Sequence, residues 1–102
     1  MRIQGNWQSR RVWVDGKELS PGPSLKVWNH SPDGFAWGYG GSGPAQLALA
    51  LALLKLERDK AVQVHQSLKW ELVAKLPQAD FSIDFDFDTF LTGVIGQAAQ
   101  SE

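Results

Sequence analysis

The stretch that decides the fold is 37-WGYGGSGPAQLALALALL-54, where four glycines fall within six positions and a run of Leu and Ala follows. Pro44 suits the first turn of a helix, where its missing N–H removes no hydrogen bond. Leu and Ala are strong helix formers, so residues 44–57 are predicted as a helix with leucines on two opposed faces. Such a helix is either enclosed between two layers or shared with a partner. We expect the enclosed arrangement, which favours a monomer and leaves a dimer as the alternative.

The glycine loop, residues 38–43, comes close to three functional motifs and fails each at a required position. A dinucleotide site needs a parallel strand–helix–strand unit, which the following helices do not provide. A phosphate loop needs Lys and a hydroxyl where Pro44 and Ala45 stand, and a nucleophile elbow needs Gly in place of Pro44. We therefore expect a sharp turn whose Ser42 or Gly43 caps the helix. The alternative is a ligand-binding module that holds a small anion on the N–H groups of Gly40, Gly41, Ser42 and Gly43.

Outside this stretch, segments with the hydrophobic periodicity of strands or helices are separated by residues typical of turns. Asp15-Gly16 predicts a tight hairpin within 11–19, and 31-SPDG-34 separates two further predicted strands, 25–29 and 35–39. A second helix is predicted over 60–76, a strand over 80–85, and a third helix capped by Asp86 or Asp88. The order β-β-β-α-α-β-α predicts an α+β fold, a small antiparallel sheet of about four strands packed with three helices, with residues 1–102 as a single domain.

Composition limits the classes of function. The net charge of −1 favours neither nucleic acid nor an anionic membrane as a partner. The chain has no cysteine, which excludes disulfides, thiolate metal sites and thiol catalysis. The N-terminal residues lack a signal-peptide core and residues 45–56 are too short to cross a bilayer, so we expect a cytoplasmic protein.

An acidic run follows the second helix and could contact a partner. If its residues formed a continuous strand, alternate carboxylates would share one face, resembling a row of phosphates or holding a divalent cation. A calcium loop is excluded because Thr89 and Ile95 replace the required Gly and Glu. The structural alternative is a solvated strand edge followed by a helix cap. The candidate partner-binding residues are Asp80, Asp84, Asp86 and Asp88.

The two histidines give little sign of chemistry by themselves. His30 adjoins a turn and is interpreted as a polar turn residue, whereas His65 lies on an apolar helical stripe and is interpreted as a hydrogen-bonded core residue. No spacing typical of a metal site is present, so we expect no metal, no cofactor and no catalytic residue.

The segment WGYGGSGPAQLAL, with RRVWVDGKEL before it and HQSLKWELVAKLP after it, resembles an uncharacterised family of short proteins from bacteria, phages, plasmids and other mobile elements. The resemblance extends from about Arg10 to Phe90 and implies a genetic setting, not a mechanism. The leading hypothesis is a small accessory protein that binds a host or element-encoded protein, in one form inhibiting a host defence system. The alternatives are the ligand-binding module above and a small metal-dependent or hydrolytic enzyme.

Overall fold

A computed structural model describes the backbone of residues 1–100 and the side chains of residues 1–94. Four antiparallel strands form one sheet in the order β3-β2-β1-β4. The strands are β1 (Arg2–Gly5), β2 (Val12–Val14), β3 (Lys17–Glu18) and β4 (Phe81–Asp84). The predicted hairpin is confirmed, because Asp15 and Gly16 link β2 to β3 with φ of 52° and 83°. The last described strand, β4, pairs with the first, β1, although three longer helices and most of the described chain lie between them or after them.

The sheet has one apolar face and one polar face, as its register requires. Ile3 lies opposite Val14 and Ile83, and Gly5 lies opposite Val12 and Phe81. Directly opposed residues share a face, so these side chains form one surface that packs into the core. Arg2, Gln4, Trp13, Glu18, Ser82 and Asp84 alternate with them and form the outer face.

Four α-helices and a short 3-10 turn complete the fold. They are α1 (Gly22–Val27), α2 (Ser42–Leu53), α3 (Arg58–Glu71), the 3-10 turn Val73–Lys75, and α4 (Phe87–Gln100). The predicted α+β class is therefore confirmed, with one short helix more than expected. Phe87 and Phe90 of α4 are buried, as the periodicity predicts. The side chains of Ile95 and Ala98, predicted for the same face, lie outside the described residues. No helix within the described residues is long and apolar enough to span a membrane.

Helix α2 is the centre of the core. Every residue from Gly43 to Ala52 is buried, and Leu47, Leu49 and Leu51 are at most 1% exposed. Helix α3 packs against it, and the inward side chains of the sheet belong to the same hydrophobic cluster. The leucines on opposed faces thus reflect enclosure between layers. At the C-terminal end Leu53 and Leu56 are partly buried and Leu54 is exposed.

Two predicted strands are wrong and one strand was missed. Residues 25–29 fall mostly in α1, where Pro21 and Pro23 occupy the helix start, a position that tolerates proline. Residues 35–39 have no regular secondary structure and bend at Gly38, which has a φ of 85°, and although Phe35 and Trp37 are buried the segment belongs to no strand of the sheet. β1 itself has only four residues, too few for its alternation to be recognised. The predicted caps of α2 also differ, since Gly41 holds the N-cap position and Ser42 begins the helix.

Candidate functional site

The glycine loop is shaped by the side chains packed on it. An ideal Cβ on Gly40 would lie 2.2 Å from the nearest ring carbon of Trp70, and one on Gly43 would lie 2.6 Å from the Cβ of Ala36. Both distances are shorter than real Cβ atoms allow. Gly43 is therefore required by close packing against Ala36, whereas Gly40 leaves room for the end of the Trp70 side chain; both explain part of the motif without a ligand.

The predicted anion site has little open space around its N–H groups. Gly43 is buried, and the Tyr39 ring packs against Gly41, 2.5 Å from the position of an ideal Cβ there. The Trp70 ring covers Gly40 in the same way. Gly41 also accepts the N–H of Ala45 through its carbonyl oxygen, which closes the first helical turn. Anion binding by this loop remains a prediction, and two aromatic rings compete with it for space.

The acidic run is divided between the two ends of β4, and three of its carboxylates have structural partners. Asp80 accepts the backbone N–H of Trp7 at 2.7 Å. At the other end, Asp84 forms an ion pair with Arg2 at 2.9 Å on the outer face of the sheet. The four carboxylates therefore do not form one continuous row.

Asp86 is the predicted cap of α4, and the structure confirms it. Its carboxylate accepts both the hydroxyl and the backbone N–H of Thr89, at 2.7 and 3.0 Å. The hydroxyl hydrogen bond, followed by the backbone one, lowers the pKa of Asp86 from its ordinary value. Asp84, Asp86 and Asp88 also line a cleft of about 410 Å³ together with Met1 and Lys55. Contact of these residues with a partner remains a prediction.

A pair of histidines, distant in sequence, meets at the junction of α3 with the loop after α1. The Nε2 atoms of His30 and His65 lie 3.0 Å apart, although 35 positions separate the residues. His65 is 1% exposed, and its Nδ1 lies 2.6 Å from the carbonyl oxygen of Val62. We call His30 and His65 the histidine pair. The interpretation of His65 as a hydrogen-bonded core residue is thereby confirmed. His30, interpreted as a polar turn residue, also hydrogen-bonds to His65.

The hydrogen bonds assign the protons of the pair. Since a carbonyl oxygen only accepts, Nδ1 of His65 carries a proton and its Nε2 is an acceptor in the neutral ring. His30 then donates its Nε2–H to His65, and the side-chain amide of Gln66 approaches the same atom at 3.3 Å. A neutral pair satisfies this geometry, whereas a proton added to Nε2 of His65 would face the N–H of His30.

The surroundings favour the neutral form of both rings. Burial is the largest cause that lowers the pKa of His30, followed by electrostatic repulsion from His65 and then from Lys69. Burial also lowers the pKa of His65, against the opposing effect of its hydrogen bond to Val62, and Lys69 lowers it further.

A buried glutamine fixes the loop that holds His30. Gln46 of α2 is fully buried, and its Oε1 accepts the backbone N–H groups of His30 and Ser31 at 2.7 and 3.0 Å. Its Nε2 donates to the hydroxyl of Ser24 and to the carbonyl oxygen of Trp28. All four hydrogen-bonding positions of the amide are used. The loop 28–31 is thus attached rigidly to the central helix.

One exposed tryptophan packs on the histidine pair, and two further exposed aromatic side chains pack on the glycine loop. Trp28 stacks on His30 at 4.5 Å between ring centroids and lies 5.5 Å from His65. One helical turn beyond His65, Lys69 places its ammonium 4.3 Å from the ring centroid of Trp70, which covers Gly40 next to Tyr39. We call this surface the aromatic face; it consists of Trp28, His30, Tyr39, His65, Lys69 and Trp70.

Within the described residues no group of three or more His, Cys, Asp or Glu side chains could hold a metal ion. The histidine pair faces no serine or threonine hydroxyl among its hydrogen-bond partners. What the aromatic face offers is aromatic surface, a fixed backbone and one cation. Sequence reasoning missed it because its residues come from three separate segments of the chain, 28–30, 39 and 65–70.

Comparison with known proteins identifies the family. A model described as a family of unknown function, DUF6166, matches residues 3–92, and the chain belongs to that family. The matched range includes the whole aromatic face, the glycine loop and the acidic run. No curated protein and no solved structure matches the chain. The expected membership of an uncharacterised family is confirmed.

Proposed function

We propose that this protein acts by binding another protein, and that the aromatic face is the contact surface. The observation that carries the proposal is a series of contacts, through His65, Lys69 and the glycine loop, that relates three exposed aromatic side chains. Trp28, Tyr39 and Trp70 are 49%, 47% and 57% exposed, and they are three of the four large hydrophobic side chains that the described residues leave exposed. Trp and Tyr are the residue types that most often dominate the binding energy of protein interfaces.

The rings are held in place before any partner arrives. Trp28 rests on the histidine pair, whose backbone is fixed by Gln46, and Trp70 rests on Gly40. A side chain that is already ordered loses less conformational entropy on binding than a mobile one. Exposed aromatic surface that is held rigidly is therefore available for association at a low entropic cost.

The biological setting of the proposal comes from the resemblance of the WGYGGSGPAQLAL segment. We propose a small accessory protein of a mobile genetic element whose partner is a host or element-encoded protein, with inhibition of a host defence system as one form of its action. The acidic residues Asp84, Asp86 and Asp88 provide a second proposed contact, since they line a cleft beside Lys55. A binding role of this kind requires no catalytic residue and no cofactor.

The test compares the proteins captured by two variants, each of which replaces one exposed hydrophobic side chain. Leu54 is 48% exposed and caps the end of α2 opposite the glycine loop, about 18 Å along the helix axis. Tagged wild-type protein, Trp70→Ser and Leu54→Ser would be expressed in the bacterial host, cross-linked and purified, and their bound proteins compared by mass spectrometry. We expect a host or element-encoded protein that Leu54→Ser retains and Trp70→Ser loses. Equal recovery by both variants, or none by the wild type, would contradict the proposal.

A further inference from the structure

The histidine pair brings two imidazole nitrogens from distant segments to one point. The Nε2 atoms of His30 and His65 are 3.0 Å apart and the ring centroids 5.0 Å apart, so the rings meet by their Nε2 edges. The neutral imidazole nitrogen is the commonest metal ligand in proteins. Without an ion, the hydrogen bond between the rings satisfies both atoms. The same two atoms become a pair of ligands if a metal ion replaces the bridging proton.

The second nitrogen of His65 has the partner that metal-binding histidines have. Nδ1 of His65 donates to the carbonyl oxygen of Val62 at 2.6 Å, which fixes the tautomer and leaves the lone pair on Nε2. Histidines that bind a metal ion almost always donate their other N–H to a carbonyl oxygen, a carboxylate or water. The ring is also buried and neutral, and the neutral ring is the form that binds metal. His65 is therefore preorganised as a ligand.

His30 and Gln66 supply two further donors to the same point. The backbone N–H of His30 is held by Gln46, and the ring can free its Nε2 lone pair by moving the proton to Nδ1, so no net proton is released. The side-chain amide of Gln66 lies 3.3 Å from Nε2 of His65. That nitrogen has a single lone pair, which cannot fully accept both His30 and Gln66. Rotation of the Gln66 amide turns its oxygen toward the pair instead.

We propose that the histidine pair and Gln66 bind a divalent transition-metal ion, Cu²⁺, through both Nε2 atoms and the amide oxygen. Metal–nitrogen bonds of about 2.0–2.1 Å place two ligand nitrogens about 2.8–3.0 Å apart at a right angle and about 3.3–3.4 Å apart at the tetrahedral angle. The observed 3.0 Å fits the right angle, which is typical of tetragonal Cu²⁺ and Ni²⁺ sites. Of the two, Cu²⁺ binds nitrogen and oxygen ligands more tightly. Gln66 is exposed, so water completes the coordination on its side.

Lys69 opposes a second cation at this place. It lowers the pKa of both His30 and His65 by electrostatic repulsion, and the same repulsion acts on a bound metal ion. Lys69→Met, which keeps the length of the side chain and removes its charge, should therefore tighten Cu²⁺ binding several-fold. Unchanged or weaker binding by this variant would place the ion away from the pair.

The test titrates untagged, chelator-treated protein with Cu²⁺ alone. Calorimetry should give one ion per chain, and electron paramagnetic resonance should show coupling to imidazole nitrogens from two rings. His30→Gln keeps an N–H donor for His65 but removes one imidazole, and it should weaken binding at least about tenfold. Gln66→Glu replaces the amide oxygen with a carboxylate and should tighten binding. Gln4→Glu adds the same charge on the outer face of the sheet and is the matched control, which should bind like the wild type.

Three results would overturn the metal site. The first is no Cu²⁺ binding by the wild type. The second is binding that His30→Gln leaves unchanged, with a resonance signal that has oxygen ligands only, which would place the ion in the acidic cleft lined by Asp84, Asp86 and Asp88. The third is equal affinity of Gln66→Glu and Gln4→Glu. Thermal melting of each variant without metal checks that it is folded. The metal site does not rest on the proposed function, and none of these measurements uses a partner protein.

Discussion

At the scale of single residues, the fold is held at this site by side chains whose partners lie far away in sequence. Gln46 satisfies two backbone N–H groups of the loop 28–31, and His65 accepts from His30. A buried polar group stabilises a structure only when its hydrogen bonds are complete, and Gln46 meets that condition. Neither pairing could be predicted from sequence, because one glutamine in an apolar helix and two separate histidines carry no local signal of their partners.

The histidine pair makes stability depend on pH. The folded-state pKa values of His30 and His65 are lowered from the ordinary 6.5, so the unfolded chain binds more protons just below that pH. The free energy of unfolding is then unaffected by the pair above about pH 6.5 and decreases as the pH falls through the window below it. We expect the melting temperature to be lower at about pH 5.5 than at about pH 7.5. His30→Gln, which keeps a donor for His65 and removes one titrating ring, should reduce this difference.

The titration of Asp86 lies outside the pH range of this measurement. The pKa of Asp86 is lowered from 3.8, so its contribution to stability is lost only at more acidic pH. A melting temperature that is constant or rises between about pH 7.5 and about pH 5.5 would contradict the arrangement described for the pair.

At the scale of elements, the sequence patterns that predicted structure correctly act locally, whereas the predictions that were wrong depended on strand pairing. Asp15-Gly16 specifies its hairpin through positive φ, and the Leu and Ala run specifies α2 through helix propensity. The strand predicted over 35–39 is not formed: Phe35 and Trp37 are buried, but Tyr39 is exposed and no strand lies beside them. Pairing is a property of the sheet, so a single extended segment cannot reveal it.

The glycine loop provides a prediction at this scale, because two of its glycines are crowded by neighbours of different mobility. At Gly43 an added methyl group meets the Cβ and the backbone of Ala36, which cannot move aside alone. At Gly40 it meets the far end of the Trp70 side chain, so a shift of that exposed ring, with no movement of the backbone, makes room for it. Gly43→Ala should therefore lower the free energy of unfolding by about 1–3 kcal/mol and Gly40→Ala by less than about 0.5 kcal/mol.

Urea denaturation of the two glycine variants measures which of them loses more free energy of unfolding. Gly40→Ala should instead change the fluorescence of Trp70 and weaken partner binding, since the displaced ring belongs to the aromatic face. Equal destabilisation by the two variants, or a larger effect at Gly40, would show that the loop is not packed as described.

At the scale of the whole molecule, the two surfaces differ in what they offer a partner. The outer face of the sheet carries alternating polar side chains, with the Arg2–Asp84 and Arg11–Glu18 ion pairs exposed to solvent. The aromatic face is built from the loop after α1, the glycine loop and the end of α3, and it carries the exposed rings of Trp28, Tyr39 and Trp70. Sequence analysis could predict the fold class and the central helix, but this surface exists only once three separate segments are folded together.

Hydrogen exchange of the complex tests the central claim most directly. The captured protein would be added to wild-type protein and amide exchange measured by mass spectrometry with and without it. If the aromatic face is the binding surface, protection should increase in residues 28–31, 39–41 and 65–71 and remain unchanged in β1 to β3. Protection confined to the outer face of the sheet or to residues 84–88, with no change around Trp28 and Trp70, would contradict the account.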